Sequence, residues 1–291
     1  MSDVGSVWAV AQCCPRAQRA GRFVAGSGAH PARMLPALAR RLVLTYSNPG
    51  DLVVDPMCGI GTTLVEAIHA GRHALGIEYE PRWAALAREN VAHAQAQGAS
   101  GHAHVVTGDA RTARELVPLA LAGRVDLIVT SPPYGASIHG NVRRSPDRLI
   151  KWDNQYSGDR TNLARLRYSR LLPSLETIFS ECRHLLRPGG IVAVTVRPWR
   201  RADALVDFPG AVVAAAERAD LVLSDRRVAL LCGLRGDRQV PRATFFALER
   251  MRYAHRRGVP LRVIAHEDVL AFAKPDDETA ADRITDCDAA C

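Results

Sequence analysis

Thr130-Ser131-Pro132-Pro133-Tyr134 joins residue types that can grip a flat amine. The apolar run at 125–129 before it reads as a buried parallel strand. The five residues therefore stand at a strand's carboxyl end, where open α/β sheets bind their ligands. Consecutive prolines remove two backbone donors and fix two φ angles, so the carbonyls there are not consumed by a helix or a ladder. Ser131 adds a hydroxyl acceptor and Tyr134 an aromatic face. Two acceptors and a stacking surface suit an exocyclic amino group on a planar base. Alone, Pro-Pro-Tyr is also compatible with a turn before a helix or with a proline-rich ligand.

Upstream lies a second constellation, from Asp51 to Thr63. An apolar strand ends at Asp55-Pro56, and a turn through Cys58, Gly59 and Gly61 enters a helix at Thr62-Thr63. The glycines allow close backbone approach to a ligand beside a helix N-terminus. Leu64 stands where a dinucleotide fingerprint has its third glycine, which argues against a nicotinamide-dinucleotide site. A second strand at 73–77 ends at Glu78, an acid placed to accept from two ribose hydroxyls. A third strand at 104–107 leads to Asp109, which can accept from an adenine amine. Trp83 follows Glu78 closely, either covering an adenine or filling the core. His30-Pro31 opens a predicted helix reaching about residue 46, with Pro31 in its first turn.

Ser-Pro-Pro-Tyr, the glycine turn and the two strand-end acids together resemble the DNA amino-methyltransferases that use S-adenosylmethionine (AdoMet) and methylate cytosine N4 or adenine N6. The resemblance covers roughly residues 30–274, with the cofactor motif before the catalytic one. It implies a Rossmann-like α/β fold: a mostly parallel seven-stranded sheet, helices on both faces and an antiparallel edge hairpin. The Arg187-Pro188-Gly189-Gly190 turn before an apolar strand is similar to that fold's pattern. The resemblance also implies AdoMet as cofactor, held by Asp55, Pro56, Cys58, Gly59, Gly61, Thr62, Thr63, Glu78 and Asp109, with His30 and Pro31 closing over its methionine part. Ser131 and a Pro132 or Pro133 carbonyl would accept the target amine's hydrogens, and Tyr134 would stack on the base. The base must leave its duplex, and neither a metal nor a covalent cysteine is required. Cytosine-C5 chemistry is set aside, because Tyr134 occupies the place of its cysteine; Glu89-Asn90-Val91 matches that family only superficially. The serine form favours cytosine N4 over adenine N6. The alternative is a tRNA guanine-N2 methyltransferase, whose Pro-Pro-Tyr-Gly is matched through Gly135, although that family usually has Asp before the prolines. A catalytically silent nucleic-acid-binding protein is the alternative of another class.

The rest of the sequence bears on partners. The chain has 291 residues, a net charge of +8 and an apolar fraction of 47%, which suits a real core and a polyanionic partner. No 18-residue apolar run and no signal-peptide core occur, so no membrane association is expected. The seven cysteines show no metal or disulfide pattern. A cytoplasmic, nucleoid-associated protein is expected; the oligomeric state is open. Residues 1–29 read as an irregular N-terminal arm, 30–274 as the methyltransferase domain and 275–291 as a disordered acidic tail. Two basic inserts interrupt the domain. The first, 135–170, carries Arg143, Arg144, Lys151 and Trp152; the second, 232–262, carries Arg238, Arg242, Arg250, Arg252, Arg256 and Arg257. Basic residues interleaved with aromatics suit phosphate contact and base stacking, with DNA as first partner and RNA as alternative.

Overall fold

The computed structural model describes residues 5–135, 141–144, 149–152, 156–201, 204–242 and 245–276. β1 (Val7–Trp8), α1 (Pro15–Arg19) and α2 (Pro36–Tyr46) precede the alternating core. That core runs β2 (Leu52–Asp55), α3 (Thr62–His69), β3 (His73–Glu78), α4 (Pro81–Ala96), β4 (Ala103–Thr107), α5 (Ala113–Leu116) and β5 (Val125–Thr130). A hairpin of β6 (Asn141–Arg144) and β7 (Leu149–Trp152) follows, then α6 (Tyr168–Leu185) and β8 (Leu186–Val196). A second hairpin, β9 (Trp199–Arg201) and β10 (Ala204–Val206), leads to α7 (Phe208–Glu217) and β11 (Val222–Leu230). The third hairpin, β12 (Cys232–Arg235) and β13 (Arg238–Pro241), and α8 (Phe245–Arg256) separate β11 from β14 (His266–Ala273).

Eight strands form the main sheet in the order β1-β11-β14-β8-β5-β2-β3-β4. Strands β8, β5, β2, β3 and β4 are mutually parallel, as helical crossovers require. β14 runs antiparallel to both β8 and β11, the edge hairpin expected from sequence. The parallel strands are buried on both faces, which is why they are almost continuously apolar: Val53, Val54, Leu127, Ile128 and Val129 are wholly inaccessible. One face packs on Phe179 of α6 and Phe208 of α7, the other on Leu38 and Leu42 of α2 and Leu64 of α3. From β2 the chain winds outward through β3 to β4, then returns to β5 on β2's other side. The carboxyl ends of β2 and β5 thus flank the topological switch point, where the crevice of such sheets lies. Among the described residues no helix is long and apolar enough to cross a membrane.

The amino-terminal segment corrects the expectation of a loose arm. Val7 and Trp8 pair in parallel with Val228 and Ala229, adding an eighth strand to the expected seven. Trp8 is 2% exposed, with the guanidiniums of Arg41 and Arg227 over its ring at 5.5 and 5.3 Å. Arg22 grips the buried Glu66 of α3 with two bonds of 2.6 and 2.7 Å. A two-residue strand has no period to detect, and an ion pair spanning 44 residues leaves no local trace. The helix expected from Pro31 starts at Pro36 instead. Of the expected acidic tail, residues 277–291 lie outside the described residues. Trp8→Ala should destabilise the whole domain by about 3–5 kcal/mol in urea denaturation. A loss below about 1 kcal/mol would mean that the segment contributes nothing to the fold.

Candidate active site

Asp55 ends β2 fully inside the protein. Its carboxylate accepts from Thr63 Oγ1 at 2.6 Å and from the Met57 amide at 3.0 Å, tying the strand's end to the first turn of α3. Between them, Gly59 (φ 55°) and Gly61 (φ 78°) take left-handed conformations, Gly61 as the N-cap of α3. A side chain at Gly61 would also sit 3.2 Å from the Ala87 Cβ of α4. At the end of β3, the buried Glu78 accepts from the Gly59 amide at 2.8 Å and the Glu80 amide at 2.9 Å. Burial pushes Asp55 up to about 6 and Glu78 up to about 7, even though these donors favour ionisation. A carboxylate oxygen accepts more than one bond, so Glu78 keeps capacity for hydroxyl donors. The Cys58 thiol is buried and burial pushes its pKa well up, leaving it a packing group against Gly76.

His30 covers the turn from above. A Cβ on Gly59 would lie 3.2 Å from His30 Nε2. The Ala32 amide donates to His30 Nδ1 at 3.2 Å, Nε2 lies 3.3 Å from the Tyr156 hydroxyl, and the ring meets Trp83 edge-on at 4.7 Å. Trp83 therefore packs beside the glycine turn. Pro31 is exposed and lies outside α2.

A crevice runs across the switch point. Its walls include Pro56 and Met57 after β2, Glu78 and Tyr79 at β3, Asp109 and Arg111 after β4, and Pro133 after β5. Tyr156, Asn162 and Leu163 complete it. These three belong to the first basic insert, whose end was expected to face nucleic acid and instead closes this crevice. Arg82 donates to the Tyr156 carbonyl at 2.7 Å, Asn162 Nδ2 to Glu80 Oε1 at 2.9 Å, and Tyr79 bonds Asp159. Asp109 faces the crevice but is not open: it accepts from the Arg111 amide at 2.9 Å and pairs with the Arg111 guanidinium at 2.5 Å. A ligand amine must share that carboxylate.

Ser131 and Tyr134 follow β5 at the same end of the sheet. The half-buried Ser131 makes no side-chain bond among the described residues, while Pro132 is buried. Tyr134 is not the open stacking face expected from sequence. Phe208 meets its ring edge-on at 5.3 Å, and the Arg197 guanidinium lies over it at 5.6 Å. Burial pushes the phenol's pKa well up, so it stays neutral. Glu267, at the start of β14, is likewise pushed up by burial and opposed by Arg197. Gly135 (φ 68°) lets the insert's end return so closely that a Cβ would meet the Leu166 carbonyl at 2.6 Å.

The expected nucleic-acid contacts divide. Arg143, Arg144, Lys151 and Trp152 lie on the β6–β7 hairpin, and Arg250 on α8; their side chains are outside the described residues. Arg238 is exposed on β13. Arg242 instead tethers the amino-terminal segment, donating to the Ala11 and Gln12 carbonyls at 3.2 and 2.7 Å. Arg252 pairs with Glu249 at 2.5 Å. Arg256 and Arg257 flank the ring of the exposed Tyr253 at 5.9 and 5.6 Å, an aromatic that charge counting overlooked. Among the described residues no His, Cys, Asp and Glu group could hold a metal ion.

Residues 2–89 match a family model described as DNA methylase. A tRNA (guanine(10)-N2)-dimethyltransferase of Methanothermobacter thermautotrophicus is 38% identical over 109 residues, 37% of this chain and 30% of that protein. The homonymous enzyme of Methanocaldococcus jannaschii is 37% identical over the same shares of the two chains. DNA adenine methyltransferase YhdJ of Escherichia coli is 49% identical over 49 residues, 17% of each chain. The chain thus spans about 30% or less of the length of these curated relatives. Among solved structures, TrmN from Thermus thermophilus superposes with a TM-score of 0.50 at 20% identity, over 89% of this chain and 53% of that one. Residues 2–89 are thus similar to the DNA methylase model, and the chain shares its Rossmann-like fold with TrmN.

Proposed function

We propose that this chain binds AdoMet and methylates an exocyclic amino group of a base in DNA, cytosine N4 before adenine N6. The observation that carries this reading is Ser131-Pro132-Pro133-Tyr134 at the carboxyl end of β5, beside the switch-point crevice. The donor set suits AdoMet. Glu78 is a buried carboxylate with free acceptor capacity for ribose hydroxyls, and the glycine turn lets backbone approach the ligand. Asp55 and Thr63 fix that turn, and His30 closes it.

When bound, AdoMet supplies a methyl group already activated on a sulfonium. The protein's task is then to turn a delocalised amine lone pair toward it. Ser131 Oγ and a Pro132 or Pro133 carbonyl accept the two amine hydrogens and fix the nitrogen's orientation. Positioning of this kind supplies most of the rate when the donor is pre-activated. Tyr134 stacks on the base once Arg197 yields the ring face. The second reading, methylation of guanine N2 in tRNA, is favoured by the two archaeal relatives and by Gly135 after Pro-Pro-Tyr.

Methyl-labelled AdoMet offered with genomic DNA and with total tRNA, followed by nucleoside mass spectrometry, tests both readings. N4-methylcytosine or N6-methyladenine is expected in the DNA; N2-methylguanosine in tRNA with unmodified DNA would overturn the first reading. Ser131→Ala should keep AdoMet affinity and lower kcat by about 10²-fold or more, the scale of losing one positioned hydrogen bond in a reacting site. Unchanged kcat would remove Ser131 from the chemistry.

Glu78 also sets a pH dependence. Its folded pKa, about 7, lies above the ordinary carboxyl value, so its contribution to stability is complete below that ordinary value and is lost as pH rises through about 7. Ribose hydroxyls donate to the ionised form, so AdoMet affinity should rise over the same interval. Calorimetry from pH 6 to 8 should show this for wild type, and a flat, weaker profile for Glu78→Gln. Equal pH profiles in the two proteins would exclude Glu78 as the acceptor.

A further inference from the structure

The segment before His30 forms a second pocket, apart from the crevice. It is an open depression of about 780 Å³, within the roughly 300–1,000 Å³ of small-molecule sites. Arg16, Arg19 and Arg33 line it, no acidic residue among the described residues does, and Val24 and Ala25 supply apolar wall. Arg19 donates to the Pro15 and Met34 carbonyls, and its guanidinium lies over Phe23 at 5.6 Å. Its Nε is buried with no partner among the described residues. Arg33 donates to the Ser27 carbonyl at 2.9 Å and to that of Gly28. Carbonyls satisfy hydrogen bonds but carry no net charge. Glu66, the carboxylate that acts on Arg19, is held by both bonds of Arg22. Burial and the neighbouring Arg33 charge pull Arg19 down to about 10. The half-buried Arg19 guanidinium, crowded by the exposed Arg33, is thus left without an anion of its own beside this space, and an anion bound there would offset both charges. The guanidinium fork matches phosphate geometry, and the apolar wall suits the body of a nucleotide.

The pocket is also joined to the cofactor turn. The Val24 amide and the Ser27 hydroxyl both donate to Asn90 Oδ1, at 2.9 and 3.0 Å, and Asn90 Nδ2 donates to the Ile60 carbonyl at 2.9 Å. One buried side chain therefore links the pocket wall to the glycine turn.

We propose that this pocket binds a nucleotide phosphate outside the catalytic crevice. Its assignment to a phosphodiester of the substrate strand rests on the nucleic-acid reading above; a free nucleotide offers the same phosphate. The test measures binding of a short labelled single-stranded DNA by fluorescence anisotropy at low and physiological salt, and of adenosine monophosphate by calorimetry. Arg19→Gln and Arg33→Gln should each weaken DNA binding about 5–10-fold and reduce the salt slope by about one. Arg33→Lys should lose less, keeping the charge but not the fork. AdoMet affinity should fall less than DNA affinity, because the pocket shares no lining residue with the crevice and reaches the glycine turn through Asn90. If Arg19→Gln lowers the thermal midpoint, the exposed Arg33 carries the test. Loss of adenosine monophosphate binding with DNA binding intact would assign the pocket to a free nucleotide. Wild-type binding of both ligands by the two glutamine variants would overturn the proposal, even with methyl transfer intact. Should wild type transfer no methyl group to any base, a loss of phosphate binding in the variants would still uphold the pocket.

Discussion

Two buried carboxylates hold the turn on which the crevice depends. Asp55 fastens the end of β2 to α3 through Thr63, and Glu78 fastens the middle of the turn to β3 through the Gly59 amide. Charge-assisted bonds of this kind contribute about 1.5–3 kcal/mol each. Withdrawing a carboxylate from water costs several kcal/mol. Desolvation outweighs the bonds, which is why both groups titrate above the ordinary carboxyl range, at about 6 and about 7. The turn is therefore clamped in position while its acids remain only half committed to charge. A ligand that donates hydrogen bonds to Glu78 shifts the balance toward the ionised form, so binding and ionisation reinforce each other.

Around that turn, three distant parts of the chain converge. His30 comes from the amino-terminal segment, Trp83 from α4 and Tyr156 from the first insert, and their rings meet over Gly59. Asn90 of α4 completes the closure from below, gathering Val24, Ser27 and the Ile60 carbonyl. Because the amino-terminal segment is also bound through Arg22–Glu66 and Trp8, glycine turn and sheet edge form one connected structure. A disturbance at β1 has a packed route to the glycine turn through these contacts.

What the sequence disclosed follows from what is local. The apolar runs of β2, β5 and β8, the glycines at 59 and 61 and the acids closing β2 and β3 lie within short windows, and each states its conformation by pattern. What stayed hidden depends on single residues meeting across long separations: Trp8 on β11, Tyr156 on His30, Arg242 on the Ala11 carbonyl. Charge counting leaves pairing out for a related reason. Some arginines serve the fold: Arg72 is 5% exposed and bonds Ser47, while the exposed Arg114 and Arg226 pair with the buried Glu181 and Asp268. A planar donor group caps carbonyls and carboxylates inside a fold as readily as it meets phosphates. Each such pair is neutral, so the net charge of +8 stands, but the paired arginines are already engaged within the fold.

Tyr134 poses the final question of the site, because a base can stack on it only after the Arg197 guanidinium leaves its face. A cation over an aromatic ring gains about 0.5–1 kcal/mol when exposed and about 2 kcal/mol when desolvated. Stacking of a base on an aromatic side chain gains about 1–3 kcal/mol. On the proposed reaction the exchange is thus close to neutral or favourable, and it releases a guanidinium beside an incoming polyanion. In the structure the Tyr134 ring is covered, with Phe208 on its edge and Arg197 over a face. The same arginine also opposes the raised pKa of Glu267, so its departure removes a counter-charge from a buried carboxyl and favours that group's neutral form. On the proposed reaction, base entry, release of Arg197 and protonation of Glu267 would be parts of one rearrangement at the carboxyl end of the sheet.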